Sequence, residues 1–397
     1  MHSFLIRTRF VMAGLLCTVV LSHAEAVAFD PNPSRDGAAA RSADAWRHWR
    51  GGPAQCGAGA SSLPAQPAVV WRFKAEEAFS ASAVIAQDTV YVGCEDGVLY
   101  AIDLASGRLK WKYTEPEMIQ SAPSVLGKTV YVGDDLGVLH AVDAVSGKKK
   151  WTFATEGQII SSVNTGNGRI VFGSYDGFVY ALNPKDGALI WKFETGGRVH
   201  GTPAVAGGMV IAAGCDELLH VLSLDDGKER AAIPMGSVSG ASAAVVGSMA
   251  YVGTYGNEVL GIDFGAGKVA WRFADPERQF PFMSSAAVTE KLVVLGGRDK
   301  RVRALDRRWG KLNWVFATRG RVDGSPVIVG DRVLIGSTDG VLYVLGLRDG
   351  KRLWRYETGS SITASPAVAR DRLVIGTLDG VLYCFGTANS VETRAGK

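Results

Sequence analysis

The sequence predicts an all-β chain built on an internal repeat, and three observations carry the prediction. Trp71, Trp111, Trp151 and Trp191 stand 40 residues apart; Ala231 occupies the next position, Trp271 restores the register, and Trp314 and Trp354 continue it after one interval of 43. Between the tryptophans run short apolar segments rich in β-branched and aromatic residues and bounded by turn residues, the signature of strands. They group into eight triplets beginning near Phe79, Ile119, Ile159, Val199, Val238, Phe282, Val322 and Ile362. The last triplet, ending at Phe385, lacks a fourth strand, and Val69 to Phe73 is a strand without a triplet. Joining the two closes a ring of eight four-stranded antiparallel sheets, an eight-bladed β-propeller completed by its N-terminal strand. Such closure hides edges that an open array would expose.

Each element has a local cause. In the first unit Phe79 to Ile85 is read as the inner strand, Gln87-Asp88 turns into Thr89 to Gly93, and Asp96-Gly97 turns into Val98 to Ile102. Asp-Gly predicts a two-residue hairpin, since glycine accepts the positive φ that such a turn needs. Ser106-Gly107 leads on to the outer strand, Leu109 to Tyr113. Pro123, Pro203, Pro326 and Pro366 are placed in inner strands, where a free edge facing a central channel tolerates a residue that cannot donate to the ladder. The outer-strand tryptophans are expected to lie flat on the neighbouring blade, each burying on the order of 200 Å². Asp103, Asp143, Asp263 and Asp306 are placed to accept N–H bonds across the turn that follows them.

Composition adds bounds. The 49 glycines suit a fold with many tight turns, and a net charge of +4, dispersed along the chain, does not point to nucleic acid. Residues 1–26 have the form of a secretory signal: Arg7 and Arg9, an apolar run from Phe10 to Leu21, and Ala24-Glu25-Ala26 as a cleavage site. That run is too short to span a membrane stably. Lipidation at Cys17 is the rival reading, with Leu16 where a lipoprotein signal wants a small residue. Residues 27–68 are a linker and N-terminal extension, in which Trp46-Arg47-His48-Trp49-Arg50 is expected to pin a segment against the side of the body; 69–386 are the propeller and 387–397 a tail. Cys56, Cys94, Cys215 and Cys384 show no framework spacing and are expected to be mostly small buried residues.

Ala101 to Trp111 and Ala141 to Trp151 match A-x-D-x-x-T-G-x-x-x-W with Ser for Thr, and weaker copies end at Trp191, Trp271, Trp314 and Trp354. On this motif the chain resembles the pyrroloquinoline quinone (PQQ) propeller superfamily from Trp71 to Phe385. The resemblance implies a fold but two functions: quinoprotein dehydrogenases, and non-catalytic propellers similar to BamB, the lipoprotein of the outer-membrane β-barrel assembly machine. The dehydrogenases carry roofing loops, and alcohol-oxidising members carry vicinal cysteines and Glu, Asn and Asp around Ca²⁺. Here the only insertion is three residues within Ala274 to Pro281, and there is no Cys-Cys. Stepping by the repeat along the presumed channel gives Ser80, Gln120, Ile160, His200, Gly240, Met283, Asp323 and Thr363, one carboxylate in eight.

No P-loop, HExxH or GxSxG occurs. His140 and His220 fall where Tyr100 and Tyr180 stand in other blades, and are expected at the core rim; His200 and Asp323 could both face the channel. On the face of the Asp-Gly turns, blades six and seven bring together Arg278, Arg298, Lys300, Arg319 and Arg321, with Arg301 and Arg303 adjoining. Either this is a solvated rim, or it docks an acidic partner with Phe280 and Phe282 as apolar anchors. The expectation is an exported, monomeric, non-catalytic scaffold of the cell envelope. It would be periplasmic or secreted, bind a protein partner, with the outer-membrane assembly machinery as one candidate, and need neither PQQ nor Ca²⁺. The alternative is a PQQ-dependent dehydrogenase or sensor.

Overall fold

A computed structural model describes residues 43–387; the signal segment, Cys17 and most of the C-terminal tail lie outside them. Eight sheets form, each with four strands in blade order; Ala68–Lys74 pairs antiparallel with Val381–Gly386 to complete blade eight, and Ala58–Gly59 adds a short fifth strand, parallel to Val327–Val329, on the inner edge of blade seven. In blade one the strands are Val84–Ala86, Thr89–Gly93, Val98–Asp103 and Leu109–Thr114. Burial follows position in the blade: Thr89–Gly93 is wholly buried, whereas Leu109–Thr114 alternates between exposed and half-buried residues. The two middle strands are covered by the flanking blades on both faces, so they are mostly apolar where the rim strand alternates.

Two details of the strands differ from the sequence expectation. The inner strands are only three residues long in most blades, and Phe79 lies in the crossing segment ahead of Val84–Ala86. Its side chain is fully buried and packs where a Cβ on Gly376 would stand, as Ile119 does at Gly93 and Phe282 at Gly253. The hydrophobe that looked like a strand start is a plug into the preceding blade. Pro123, Pro203, Pro326 and Pro366 accordingly stand one residue before their strands, which begin at Ser124, Ala204, Val327 and Ala367. The two-residue hairpins are also elsewhere. Gln87 and Asp88 both have positive φ (51° and 57°) between the first and second strands, whereas Cys94 to Gly97 make a four-residue turn with only Gly97 left-handed (φ 77°).

The blades are joined by the tryptophans. The Trp111 ring lies 2.8 Å from where a Cβ on Gly147 would sit, and its indole N–H donates to the Ala144 carbonyl at 3.1 Å. Trp71, Trp151, Trp191, Trp271 and Trp314 repeat this on Gly107, Gly187, Gly227, Gly310 and Gly350. Glycine is required twice over, for its positive φ and for the ring seated on it. Asp103, Asp143, Asp263 and Asp306 each accept N–H bonds across the turn that follows, at 2.9 Å from Ser106, 2.9 Å from Ser146, 3.1 Å from Ala266 and 2.8 Å from Trp309. Two joints differ. Nothing lies within 4 Å of a Cβ built on Gly267, opposite Ala231. Trp354 meets no such turn, because the outer strand of blade eight comes from the other end of the chain; its ring packs edge-on against Phe385 at 5.7 Å.

Candidate functional site

The N-terminal extension runs through the channel and not along the side of the body. Trp46 pairs with Ile85 of blade one. Carbonyls of Arg47, Pro53, Ala54, Cys56 and Gly57 then accept N–H bonds from Val125, Val205, Val245, Val288 and Ile328, on the inner strands of blades two, four, five, six and seven. Blade three is reached through the Asn164 side chain, which donates to the Pro53 carbonyl at 2.7 Å. The inner edge that the prolines suggested was free is therefore covered by this segment, which satisfies donors that would otherwise be orphaned.

At the centre of the plug a single 3-10 turn, Trp49–Gly51, holds Arg50, only 2 % exposed. Its guanidinium donates to the carbonyls of Pro326 at 2.5 Å and Ala286 at 2.6 Å, and no carboxylate pairs with it among the described residues. Burial pushes its pKa down to about 9. Arg50 Nε and both polar atoms of the Gln55 amide are buried without a partner. His48, held near neutral by burial and by Arg47 with its pKa lowered to about 4, bonds Ser124 Oγ through Nδ1.

Above the plug the channel opens as a cavity of about 180 Å³ with Trp49 as its floor. All eight positions obtained by stepping the repeat from Ser80 line it. His200 and Asp323 both do, but each is engaged elsewhere. His200 Nδ1 lies 2.5 Å from the Tyr175 hydroxyl, with its pKa lowered by burial, and Asp323 accepts Arg298 Nε at 2.9 Å. Deeper lies a belt the sequence reading missed. Each backbone N–H of one blade donates to a Ser or Thr hydroxyl of the next at 2.7–3.1 Å, from Ala122 N–H on Ser162 round to Ser365 N–H on Ser82. Ala122 interrupts the belt, since it offers Ser82 no hydroxyl. Stepping the repeat from Ser82 would have found it.

The mouth of the cavity is bipolar. Arg278, Lys300 and Arg319 are exposed and have no ion-pair partner among the described residues, while Arg298 and Arg321 flank Asp323 at 2.9 and 3.9 Å. Two residues leave the expected patch. Phe282 is 3 % exposed and belongs to the core, because it is the blade-six counterpart of Phe79; Phe280 alone, 47 % exposed, is free to meet a partner. Arg303 is 1 % exposed and its guanidinium is closed by Asp299 at 2.9 Å and by Asp275 at 2.5 Å. Burial opposes its charge, and the two carboxylates outweigh that and raise its pKa. Arg303 fills the position where Tyr100 bonds Asp96 at 2.7 Å, His140 bonds Asp134 at 2.8 Å and His220 bonds Asp216 at 2.7 Å. Across the mouth stand Glu76, Glu95, Glu117, Asp135 and Glu156, an acidic half absent from the sequence reading.

The eight rim positions do not supply the ligand set of a Ca²⁺ site. A hard cation wants several oxygen ligands, and the only carboxylate among the eight rim positions, Asp323, is bonded to Arg298. No group of three His, Cys, Asp or Glu among the described residues is placed to hold a metal. Nor is any helix among them long and apolar enough to cross a membrane.

Comparison with known proteins agrees on the architecture. BamB from Moraxella catarrhalis is 19% identical with a TM-score of 0.69, over 81% of this chain and 99% of that one. The computationally designed Ika8 protein is 17% identical with a TM-score of 0.71, over 79% and 97%. Quinohemoprotein alcohol dehydrogenase from Comamonas testosteroni is 14% identical with a TM-score of 0.75, over 88% and 82%. At such identities these likenesses show the fold alone. No curated protein sequence matches. A family profile described as outer membrane protein assembly factor BamB matches residues 63–166, 136–272 and 230–395, nearly the whole propeller, and the chain therefore belongs to that family.

Proposed function

We infer that the chain is an exported, non-catalytic scaffold of the cell envelope that docks an acidic protein surface on the mouth formed by blades six and seven. The observation that carries this reading is the set of exposed cations Arg278, Lys300 and Arg319, left without carboxylate partners beside the exposed Phe280. Charges already satisfied within the protein gain little from a partner, whereas unpaired ones steer encounter and set orientation. The acidic half across the mouth extends the selection, because a partner must present negative charge to one side and positive or neutral charge to the other. Family membership supports a partner within outer-membrane protein assembly. The quinoprotein reading is disfavoured by the rim residues, whose one carboxylate, Asp323, is already bonded to Arg298.

The test is affinity purification from the native envelope with wild type and with an Arg278→Glu, Lys300→Glu, Arg319→Glu variant. A partner lost by the variant, and from wild type at raised salt, is the expected result. An unchanged partner set, or a co-purifying quinone absorbance with dye-linked alcohol oxidation, would overturn the reading.

A further inference from the structure

The hydroxyl belt does more than tie blades together. Seven hydroxyls, at positions 82, 162, 202, 242, 285, 325 and 365, each accept one backbone N–H, and none donates its own proton to any described residue. A hydroxyl has one proton to give. Six of the seven line the cavity above Trp49, so its wall is a ring of unused donors. At the break in the belt, Ser82 N–H meets Ala122 and has no hydroxyl to donate to. Two further hydroxyls lining the cavity, Ser80 Oγ and Thr363 Oγ1, are buried without any partner. His200 also lines the cavity, with its Nδ1 paired to the Tyr175 hydroxyl at 2.5 Å.

Charge points the same way. The one carboxylate on the wall, Asp323, is matched by Arg298. Beneath the floor Arg50 bonds the carbonyls of Ala286 and Pro326, each the residue after a belt serine, with no anion to balance it. A buried cation satisfied only by carbonyls remains electrostatically uncompensated. At about 180 Å³ the cavity is smaller than the roughly 300–1,000 Å³ of sites for drug-sized ligands.

We propose that the throat of the channel binds a small oxyanion, a carboxylate or an inorganic oxyanion, whose oxygens accept from the hydroxyl ring while Arg50 supplies the balancing charge. Carboxylate and inorganic sources share this chemistry, and the choice of probe separates them.

Thermal-stability titrations of the full chain with acetate, malonate, phosphate and sulfate, at ionic strength held constant with chloride, test the proposal. A saturable rise in Tm with at least one oxyanion, absent with chloride or glycerol, is expected. Ser162→Ala with Ser242→Ala should weaken the apparent Kd at least tenfold. Ala122→Ser, which closes the break and adds an eighth hydroxyl, should tighten it several-fold, and this second variant decides the matter if the first fails to fold. No saturable response to any oxyanion, an equal response to glycerol, or an affinity that Ala122→Ser leaves unchanged would overturn it. Response to acetate and malonate alone assigns a carboxylate ligand; response to phosphate or sulfate alone assigns an inorganic one.

Discussion

Blades one to three and blades six and seven carry opposite charges at the same positions of the repeat. Arg298 stands where Glu95 and Asp135 stand, and the backbone cannot tell them apart: their N–H groups donate to Pro281, Ala78 and Met118, each 17 residues back. Arg319 stands where Glu156 stands, and both donate a backbone N–H to a turn aspartate, Asp339 at 2.9 Å and Asp176 at 3.1 Å. The main chain satisfies the fold at these positions, so the side chains are free to write a surface. The bipolar mouth is then a feature laid over the repeat, at sites where substitution costs the fold least.

Arg303 marks the limit of that freedom, and the largest expected effect follows from it. At this position blades one and three use Tyr to reach the turn aspartate, a neutral donor that leaves the carboxylate its charge, and blade six uses a buried guanidinium held by two carboxylates. Arg303→Met would leave Asp275 and Asp299 facing each other with only the more distant Arg301, at 3.7 and 4.0 Å, to offset them, at a cost of about 3 kcal/mol. Tyr100→Phe removes one hydrogen bond, worth about 1 kcal/mol. Arg303→Tyr, which rebuilds the blade-one arrangement on Asp299, should recover part of the loss. Urea denaturation of the three variants measures this. If Arg303→Met cost no more than Tyr100→Phe, the two halves would differ in charge alone and not in how they are held.

The seams between blades give the next effect. Trp111→Ala should cost about 3 kcal/mol, the low end for loss of a large aromatic, because the ring is half-buried on Gly147. Blades four and five meet with Ala231 facing the empty space above Gly267. Native-state hydrogen exchange should therefore open this seam before the others, and Ala231→Trp should raise its protection. Exchange that began instead at Trp354, where the turn glycine is missing, would place the weak joint where the ring was closed.

The sequence carried the ring, its closure and the eight channel positions, because a repeat of constant length turns arithmetic on residue numbers into geometry. It also carried the basic cluster, since Arg298 and Arg319 break an otherwise visible pattern. What it did not carry lies where position depends on another part of the chain. Residues 46–59 have no period of their own, and their place inside the channel is set by carbonyls that answer the backbone N–H groups of six inner strands and the side chain of Asn164 on a seventh. Phe282 looked like an anchor in an inserted loop, yet the register assigns it to the core. The plug against Gly253 is legible only when the two are paired across a blade boundary. Arg303 could be seen as a charge, but its neutralisation required knowing that Asp275 in the loop and Asp299 in the turn converge on it.

The smallest effect sharpens the charge comparison at one repeat position. Asp135 lies among Asp134, Glu117 and Glu95, and burial first, then these neighbours, push its pKa up to about 6 from an ordinary 3.8. A raised carboxyl pKa means that the folded chain holds the proton more tightly than the unfolded one. Between about pH 4 and pH 6 the folded state is then the more protonated, so this group's contribution to stability is present at the acid end and lost as pH rises through its folded pKa. Asp135→Asn should remove that slope, and the difference in urea midpoint between variant and wild type should be larger at about pH 7 than at about pH 4.5. Arg298, the counterpart in blade six, does not itself titrate in that range, so any slope given by Arg298→Gln would come only from its partner Asp323 and should run the other way, the difference shrinking as pH falls. A flat result for Asp135→Asn would mean that Asp135 is as well compensated as Arg298, and the asymmetry between these two positions would then be one of sign and not of strain.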